Sequence, residues 1–164
     1  MSKRDLKKYL TELNKEQLGE QIIDLYSRFK EVKEYYDFAF NPQENKLVEE
    51  CKFKISKEYF PLNGRKPKTR RSVAQKYIKH FIKLGLESSL IADIMLFNLE
   101  IALSFSKEKT IKSEAFYISM HKSFEQAIRF IQNHNLQKEF LTRMENIVDE
   151  VAEQNWFNRN AFTI

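Results

Sequence analysis

The chain has 164 residues, enough for one domain of ordinary size, and 42% of them are apolar, which excludes an intrinsically disordered protein. It contains three glycines and three prolines, too few for the many turns of a β-sandwich or β-barrel. The net charge is +5, and the single cysteine, Cys51, excludes an internal disulfide framework and suits a reducing compartment.

Apolar residues recur at spacings of three and four along nearly the whole chain, which predicts an all-α protein of about seven helices. The predicted helices span about residues 4–13, 15–38, 42–59, 72–84, 88–105, 112–133 and 136–156. The fifth is apolar almost all round and is expected at the centre of the fold. Helices of these lengths can pack as an up-down bundle or as a curved stack of hairpins, and the sequence leaves both open.

Several residues mark where the predicted helices begin and end. Asn14 is expected to cap the second helix, and Asn41 to cap the third with Pro42 at its first helical position. Ser72 is expected to cap the fourth helix, and Gly85 to end it.

We expect a single domain over residues 1–164. The alternative is an N-terminal hairpin over 1–60 and a C-terminal bundle over 72–157, joined by the irregular segment 61–71. Each of those parts would be small, and the central helix needs cover on several sides, so one domain is preferred.

The sequence predicts a soluble, cytoplasmic protein that does not enter a membrane. Its N-terminus lacks the apolar core of a signal peptide. The most apolar stretch, 90–105, is interrupted by Asp93, Asn98 and Glu100, so it is too short and too polar to span a bilayer.

Positive charge is concentrated in the middle of the chain. Residues 64–72 read GRKPKTRRS, with five basic side chains and no acid, and the helix predicted after them adds Lys76, Lys79 and Lys83 on one face. Residues 46–84 contain 12 Lys and Arg against three Glu, whereas the segments on either side are mildly acidic. Like charges at this density repel one another, so a bound polyanion would stabilise the region.

We therefore predict a non-enzymatic module that binds an anion, above all nucleic acid, mostly through phosphates and with weak sequence specificity. An acidic protein surface or a phosphorylated ligand could occupy the same region, and a solvated loop with a solvated helix face also explains it. A different alternative is a helical interaction scaffold or homodimer that binds no nucleic acid. The predicted anion contacts are Arg65, Lys66, Lys68, Arg70, Arg71, Lys76, Lys79 and Lys83.

No histidine pattern predicts a metal or a catalytic base. The three histidines are not spaced at i and i+4. Glu114, His121 and Glu125 share a helix face, but the Glu-x-x-His motif of di-iron bundles is missing, so no metal or cofactor is predicted.

The other side chains that could be reactive are also expected to have structural roles. Asp93 and Glu100 lie on one face of the central helix, and we expect them to pair with Lys76 or Lys79 or to lie exposed on a seam. Cys51 lies on an apolar stripe and is expected in the core. Three glycines cannot supply a phosphate-binding loop, a dinucleotide fingerprint and a nucleophile elbow, and none of these motifs is present.

Three stretches resemble an uncharacterised bacterial family that is defined only as a domain of unknown function. They are SKRDLKKYLTELNKEQLGEQIIDLYSRFKEVKEYYDFAFNP, KFKISKEYFP and GRKPKTRRSVAQKYIKHFIKLG, at 2–42, 52–61 and 64–85. The resemblance implies a bacterial, cytoplasmic, helical protein and carries over no site residues. Residues 5–25 are also similar to the opening helix-turn-helix of SAP-type DNA-binding modules, but the chain departs from that pattern by continuing into a long predicted helix.

Overall fold

The computed structural model describes residues 2–164, which form eight α-helices and no strand, so the all-α prediction is confirmed. The helices are α1 (Lys3–Thr11), α2 (Lys15–Arg28), α3 (Lys30–Phe40), α4 (Glu44–Tyr59), α5 (Arg71–Leu84), α6 (Ser88–Glu108), α7 (Glu114–Asn133) and α8 (Gln137–Glu153), followed by a 3₁₀ turn at Arg159–Ala161. Helices α1–α3 belong to one compact unit that ends at Gln43, and α4–α8 belong to a second that begins at Glu44. The boundary lies before α4, and the segment 61–71 lies inside the second unit. A single domain over 1–164 stays a prediction.

Polar caps define the starts of the first two helices. Asn14 accepts a hydrogen bond from the backbone amide of Gln17, so the predicted Asn14 cap is confirmed. The Gln17 side chain accepts one from the Asn14 backbone amide in return, which completes a capping box. Ser2 and Asp5 form a second capping box at the start of α1. None of the side chains on α1, α2 or α3 is buried.

The prediction of one long helix over 15–38 is wrong, because the chain breaks at Phe29. The backbone of Phe29 is extended, with φ −116° and ψ 116°, and it both ends α2 and precedes α3. The two helices pack together, and the Tyr26 hydroxyl on α2 donates to Asp37 Oδ1 on α3 at 2.7 Å. The apolar spacing of three and four runs on through the break, and no Pro or Gly marks it, so the sequence shows no signal for it.

The second unit is a bundle built around α6, as predicted for the central helix. Helix α6 packs against α4, α5, α7 and α8, and ten of its 21 residues are buried. Within 2–164 it alone is long and apolar enough to cross a membrane by length and composition, so the prediction that this stretch is too short and too polar is wrong on those two counts. More than half of that apolar window is buried inside the protein. The all-round apolar character therefore matches contacts with four helices.

The ends of α4 and α5 set the position of the segment between them. Helix α4 begins at Glu44, so Pro42 lies before it and not at its first helical position as predicted. The cap of α5 is Arg70, so the prediction for Ser72 is wrong, since the helix begins one residue before it. Gly85 ends α5 as predicted, in the left-handed conformation with φ 84°, which glycine adopts at little cost.

Candidate anion-binding site

The segment 60–70 between α4 and α5 is fastened to the last turn of α4 through Glu58. The Glu58 carbonyl accepts hydrogen bonds from the backbone amides of Lys68 at 2.9 Å and Thr69 at 3.0 Å. Arg70 Nε and Nη2 donate to the two carboxylate oxygens of Glu58, each at 2.8 Å. Glu58 therefore holds the end of the segment with both its backbone and its side chain. The side-chain contact is a bidentate arginine–carboxylate pair.

A cavity of about 320 Å³ lies between the end of α4 and this segment. We call it the basic pocket; it is lined by Lys57, Glu58, Pro61, Leu62, Asn63, Arg65, Lys66, Lys68 and Arg70. The chain turns at Asn63, which lines the pocket, and at its neighbour Gly64, since both have positive φ, at 59° and 67°. Five of the nine lining residues are basic and one is acidic.

Glu58, the single acid of the basic pocket, already forms an ion pair with Arg70. The hydrogen bonds from Arg70, opposed only partly by desolvation, lower the pKa of Glu58, so it is a carboxylate at neutral pH. Its charge is balanced by Arg70, which leaves Lys57, Arg65, Lys66 and Lys68 as the uncompensated charges around the cavity. The pocket therefore carries a positive field.

The eight residues predicted as anion contacts fall into three places. Arg65, Lys66, Lys68 and Arg70 line the basic pocket. Lys76, Lys79 and Lys83 are exposed along one face of α5, which we call the lysine face, over about 10 Å at 1.5 Å per residue. Arg71 takes a third position, at the start of α5, where its side chain contacts α7.

Arg71 points into a polar contact with α7 instead of joining Arg70. Its Nε donates to Ser123 Oγ at 2.7 Å, and its Nη2 donates to Gln126 Oε1 at 3.1 Å. Burial lowers the pKa of Arg71. Because Arg70 bonds to α4 and Arg71 to α7, these two neighbouring arginines contact different helices.

Most of the predicted contacts are unpaired. Among residues 2–164, Arg70 alone of the eight forms an ion pair with a carboxylate. Arg65, Lys66 and Lys68 are exposed, and so are the three lysines of the lysine face. Six side chains therefore remain available to an external anion.

Sequence reasoning missed two residues of the basic pocket that can donate a hydrogen bond to an anion. Lys57 lies in the last turn of α4, four residues before Pro61, and Asn63 lies within the loop. The signal for Lys57 was its position directly before the loop. The signal for Asn63 was its place before Gly64, where asparagine readily adopts positive φ.

The partners predicted for Asp93 and Glu100 are wrong. Arg143 of α8 donates from Nη1 to Asp93 Oδ1 and from Nε to Glu100 Oε1, each at 2.8 Å, and Lys52 Nζ lies 2.7 Å from Asp93 Oδ2. Desolvation lowers the pKa of Arg143, but its hydrogen bonds to the two carboxylates more than offset this and raise it. The carboxylates are thus paired with bases other than Lys76 and Lys79.

The helix face that carries His121 makes structural contacts. His121 Nε2 lies 3.0 Å from the carbonyl oxygen of Ala161, and its Nδ1 lies 3.9 Å from a Glu125 oxygen. No cluster of three or more metal-ligating side chains is found in the part of the chain that the structure describes. Cys51 is fully buried, as predicted, and burial raises the pKa of its thiol to about 12.

Comparison with known proteins places the whole chain in one family. The sequence model of a family of unknown function, DUF6155, matches residues 1–164. Neither the curated proteins nor the solved structures contain a match to this chain.

Proposed function

We propose that this chain, which belongs to the DUF6155 family of unknown function, is a non-enzymatic protein that binds polyanions, above all nucleic acid. The ligand would contact the basic pocket and the lysine face, mostly through its phosphates. Phosphate contacts orient a nucleic acid without reading its sequence, so the proposed binding is weakly sequence-specific.

The observation that supports this proposal is the composition of the basic pocket. Four of its five bases have no carboxylate partner within 2–164, and its one acid is paired with the fifth. Charges packed around a cavity of about 320 Å³ repel one another. A bound polyanion would relieve that repulsion and release its own counterions, which favours association at low salt.

The proposed binding is testable by fluorescence anisotropy with labelled oligonucleotides at about 50 and 200 mM salt. We expect binding at the lower salt and a loss of affinity of up to about 10³-fold at the higher, if six phosphate contacts form. Absence of binding at the lower salt would reject the proposal.

A matched pair of variants locates the binding surface. Arg65→Glu with Lys66→Glu changes two exposed bases of the basic pocket, and Lys109→Glu with Lys112→Glu makes the same change of charge at exposed positions between α6 and α7. The first variant should bind less tightly. The slope of log affinity against log salt concentration should also become shallower, by the amount expected for the loss of roughly one to two phosphate contacts. Equal losses from both variants would show that only net charge matters.

The second candidate function, a homodimer without nucleic-acid binding, is favoured by the first unit. Its apolar side chains remain exposed, with 66% of Ile23 and 85% of Phe40 accessible. Helix α1 carries four bases against one acid, whereas α2 presents exposed Glu16 and Glu20. In a two-fold dimer, α1 of one copy could therefore contact α2 of the other, twice.

Light scattering after size-exclusion chromatography tests the dimer. The parent should elute as a dimer, and Ile23→Glu with Phe40→Glu should elute as a monomer with unchanged helical content, because both side chains are exposed. A parent that is monomeric at every concentration would reject this candidate.

A further inference from the structure

An exposed aromatic ring lies at the side of the basic pocket. Phe53 on α4 is 53% exposed, although most other phenylalanines of the second unit are buried or partly buried. Lys57, which lines the pocket, holds its ammonium nitrogen 4.0 Å from the centroid of the Phe53 ring. The two residues are one helical turn apart, so α4 itself fixes their contact.

This contact leaves part of the ring open to solvent, since Phe53 is 53% exposed. A cation over an aromatic ring occupies a single face, and Lys57 takes that position on Phe53. The exposure of Phe53 means that other parts of the ring meet solvent. A flat, apolar partner could therefore stack on the ring without displacing the lysine.

The charges on α4 before and after Phe53 favour one direction for a bound phosphate backbone. Glu49 and Glu50, both exposed, precede Phe53 by one turn of α4, and Lys57 follows it by one turn. A phosphate backbone would be repelled at the acidic end and attracted at the basic end. A nucleotide whose base stacks on Phe53 would thus extend its backbone towards Lys57 and the basic pocket.

We propose that the basic pocket and Phe53 form a binding site for single-stranded nucleic acid, with the pocket holding backbone phosphates and Phe53 stacking on a base. This inference rests on the proposed function and names its ligand class. A positive groove beside an aromatic ring is the combination that binds single strands, whereas the bases of a duplex are stacked on each other and cannot reach the ring. Asn63 in the pocket adds an amide that can hydrogen-bond to phosphate or base.

Anisotropy titrations with a labelled oligothymidylate of about 12 nucleotides, and with a duplex of equal length, test the ligand class. The single strand should bind more tightly than the duplex at equal salt. Phe53→Leu should weaken single-strand binding by about 5- to 100-fold and leave duplex binding unchanged, since each stacked base contributes that much. The matched control is Phe157→Leu, which changes a phenylalanine of similar exposure, 55%, near the C-terminus and should have no effect.

A second variant reports stacking directly. Phe53→Trp should keep single-strand affinity, and its indole fluorescence should be quenched when the oligothymidylate binds. The natural Trp156 is 3% exposed and contributes a constant background. Quenching together with the loss in Phe53→Leu supports the inference.

The outcomes separate this inference from the proposed function. If Arg65→Glu with Lys66→Glu loses binding but Phe53→Leu binds both probes as the parent does, the stacking site is rejected and polyanion binding stands. If the duplex binds as tightly as the single strand, the ligand class is likewise rejected. If the parent binds neither probe at about 50 mM salt, both proposals fail.

Discussion

Arg70 and Glu58 form a bidentate ion pair, with both nitrogen-to-oxygen distances at 2.8 Å. This pair joins the end of the segment 60–70 to α4. The Glu58 carbonyl also accepts hydrogen bonds from two backbone amides of the same segment. The most strongly charged segment of the chain is therefore tethered at its end, and both residues of the ion pair line the basic pocket.

Removing the Glu58 carboxylate should loosen the tether. Glu58→Gln loses the charge that Arg70 contacts, so we expect tryptic cleavage within 61–70 to become faster, while cleavage at the other sites keeps the rate of the parent. Asp24→Asn is the control, because it removes an exposed ion pair with Arg28 on α2. Equal cleavage rates in Glu58→Gln and the parent would contradict the role of the tether.

The ion pair of Glu58 and Arg70 also predicts how the stability of the protein changes with pH. Hydrogen bonds from Arg70 lower the pKa of Glu58 below its ordinary value of 4.5. The stability that this carboxylate contributes is therefore fully present above that value and is lost as the pH falls through the lower, folded-state pKa. Carbon-detected NMR should find the Glu58 midpoint below 4.5 in the parent and higher in Arg70→Ala. A parent midpoint at or above the ordinary value would refute this.

Arg143 should matter for stability because it faces two carboxylates. Arg143→Met leaves Asp93 with Lys52 alone and Glu100 without its partner, so the free energy of unfolding should fall by about 2 kcal/mol. Arg129→Met is the control, since Arg129 is 75% exposed and its nitrogen lies 3.6 Å from Glu125; a change within about 0.5 kcal/mol is expected. Urea denaturation measures both. Similar values for the two variants would mean that the Arg143 network adds little.

The C-terminal residues should contribute to the core of the second unit. Phe162 is 3% exposed and packs against Phe124, His121 and Trp156. Phe162→Ala should therefore lower the free energy of unfolding by about 3 kcal/mol. Phe157→Ala, at a position 55% exposed, should change it far less. Thermal unfolding followed by circular dichroism compares them, and an unchanged melting temperature for Phe162→Ala would show that the tail packs only loosely.

Cys51 should be unreactive in the folded protein. Burial raises the pKa of its thiol to about 12, so almost no thiolate forms at pH 8, and the side chain is inaccessible to reagents. A thiol reagent such as iodoacetamide should label it only at the rate of unfolding and should label it readily in urea. Rapid labelling of the native protein would contradict the buried position.

The candidate site shows where sequence reasoning succeeds and where it stops. The concentration of bases in 64–72 could be seen directly, and four of those bases line one cavity. Which bases are paired could not be seen. Arg70 and Arg71 are neighbours in sequence, but one bonds to Glu58 and the other to Ser123, 52 residues away. Lys57 and Asn63 join the pocket because the chain reverses at Asn63 and Gly64.

The sequence by itself determined the helical class, the central position of α6, the buried place of Cys51 and the location of the excess charge. These features follow from composition and from a 3.6-residue period, which are properties of short stretches of chain. Only the tertiary structure decided the break at Phe29 and the pairing of Asp93 and Glu100 with Arg143. It also decided which of the predicted basic residues line the basic pocket, which lie on the lysine face, and that Arg71 contacts α7. Each of these depends on which helices meet, and side chains as far apart in sequence as Arg71 and Gln126, 55 residues, become partners only after the helices have packed.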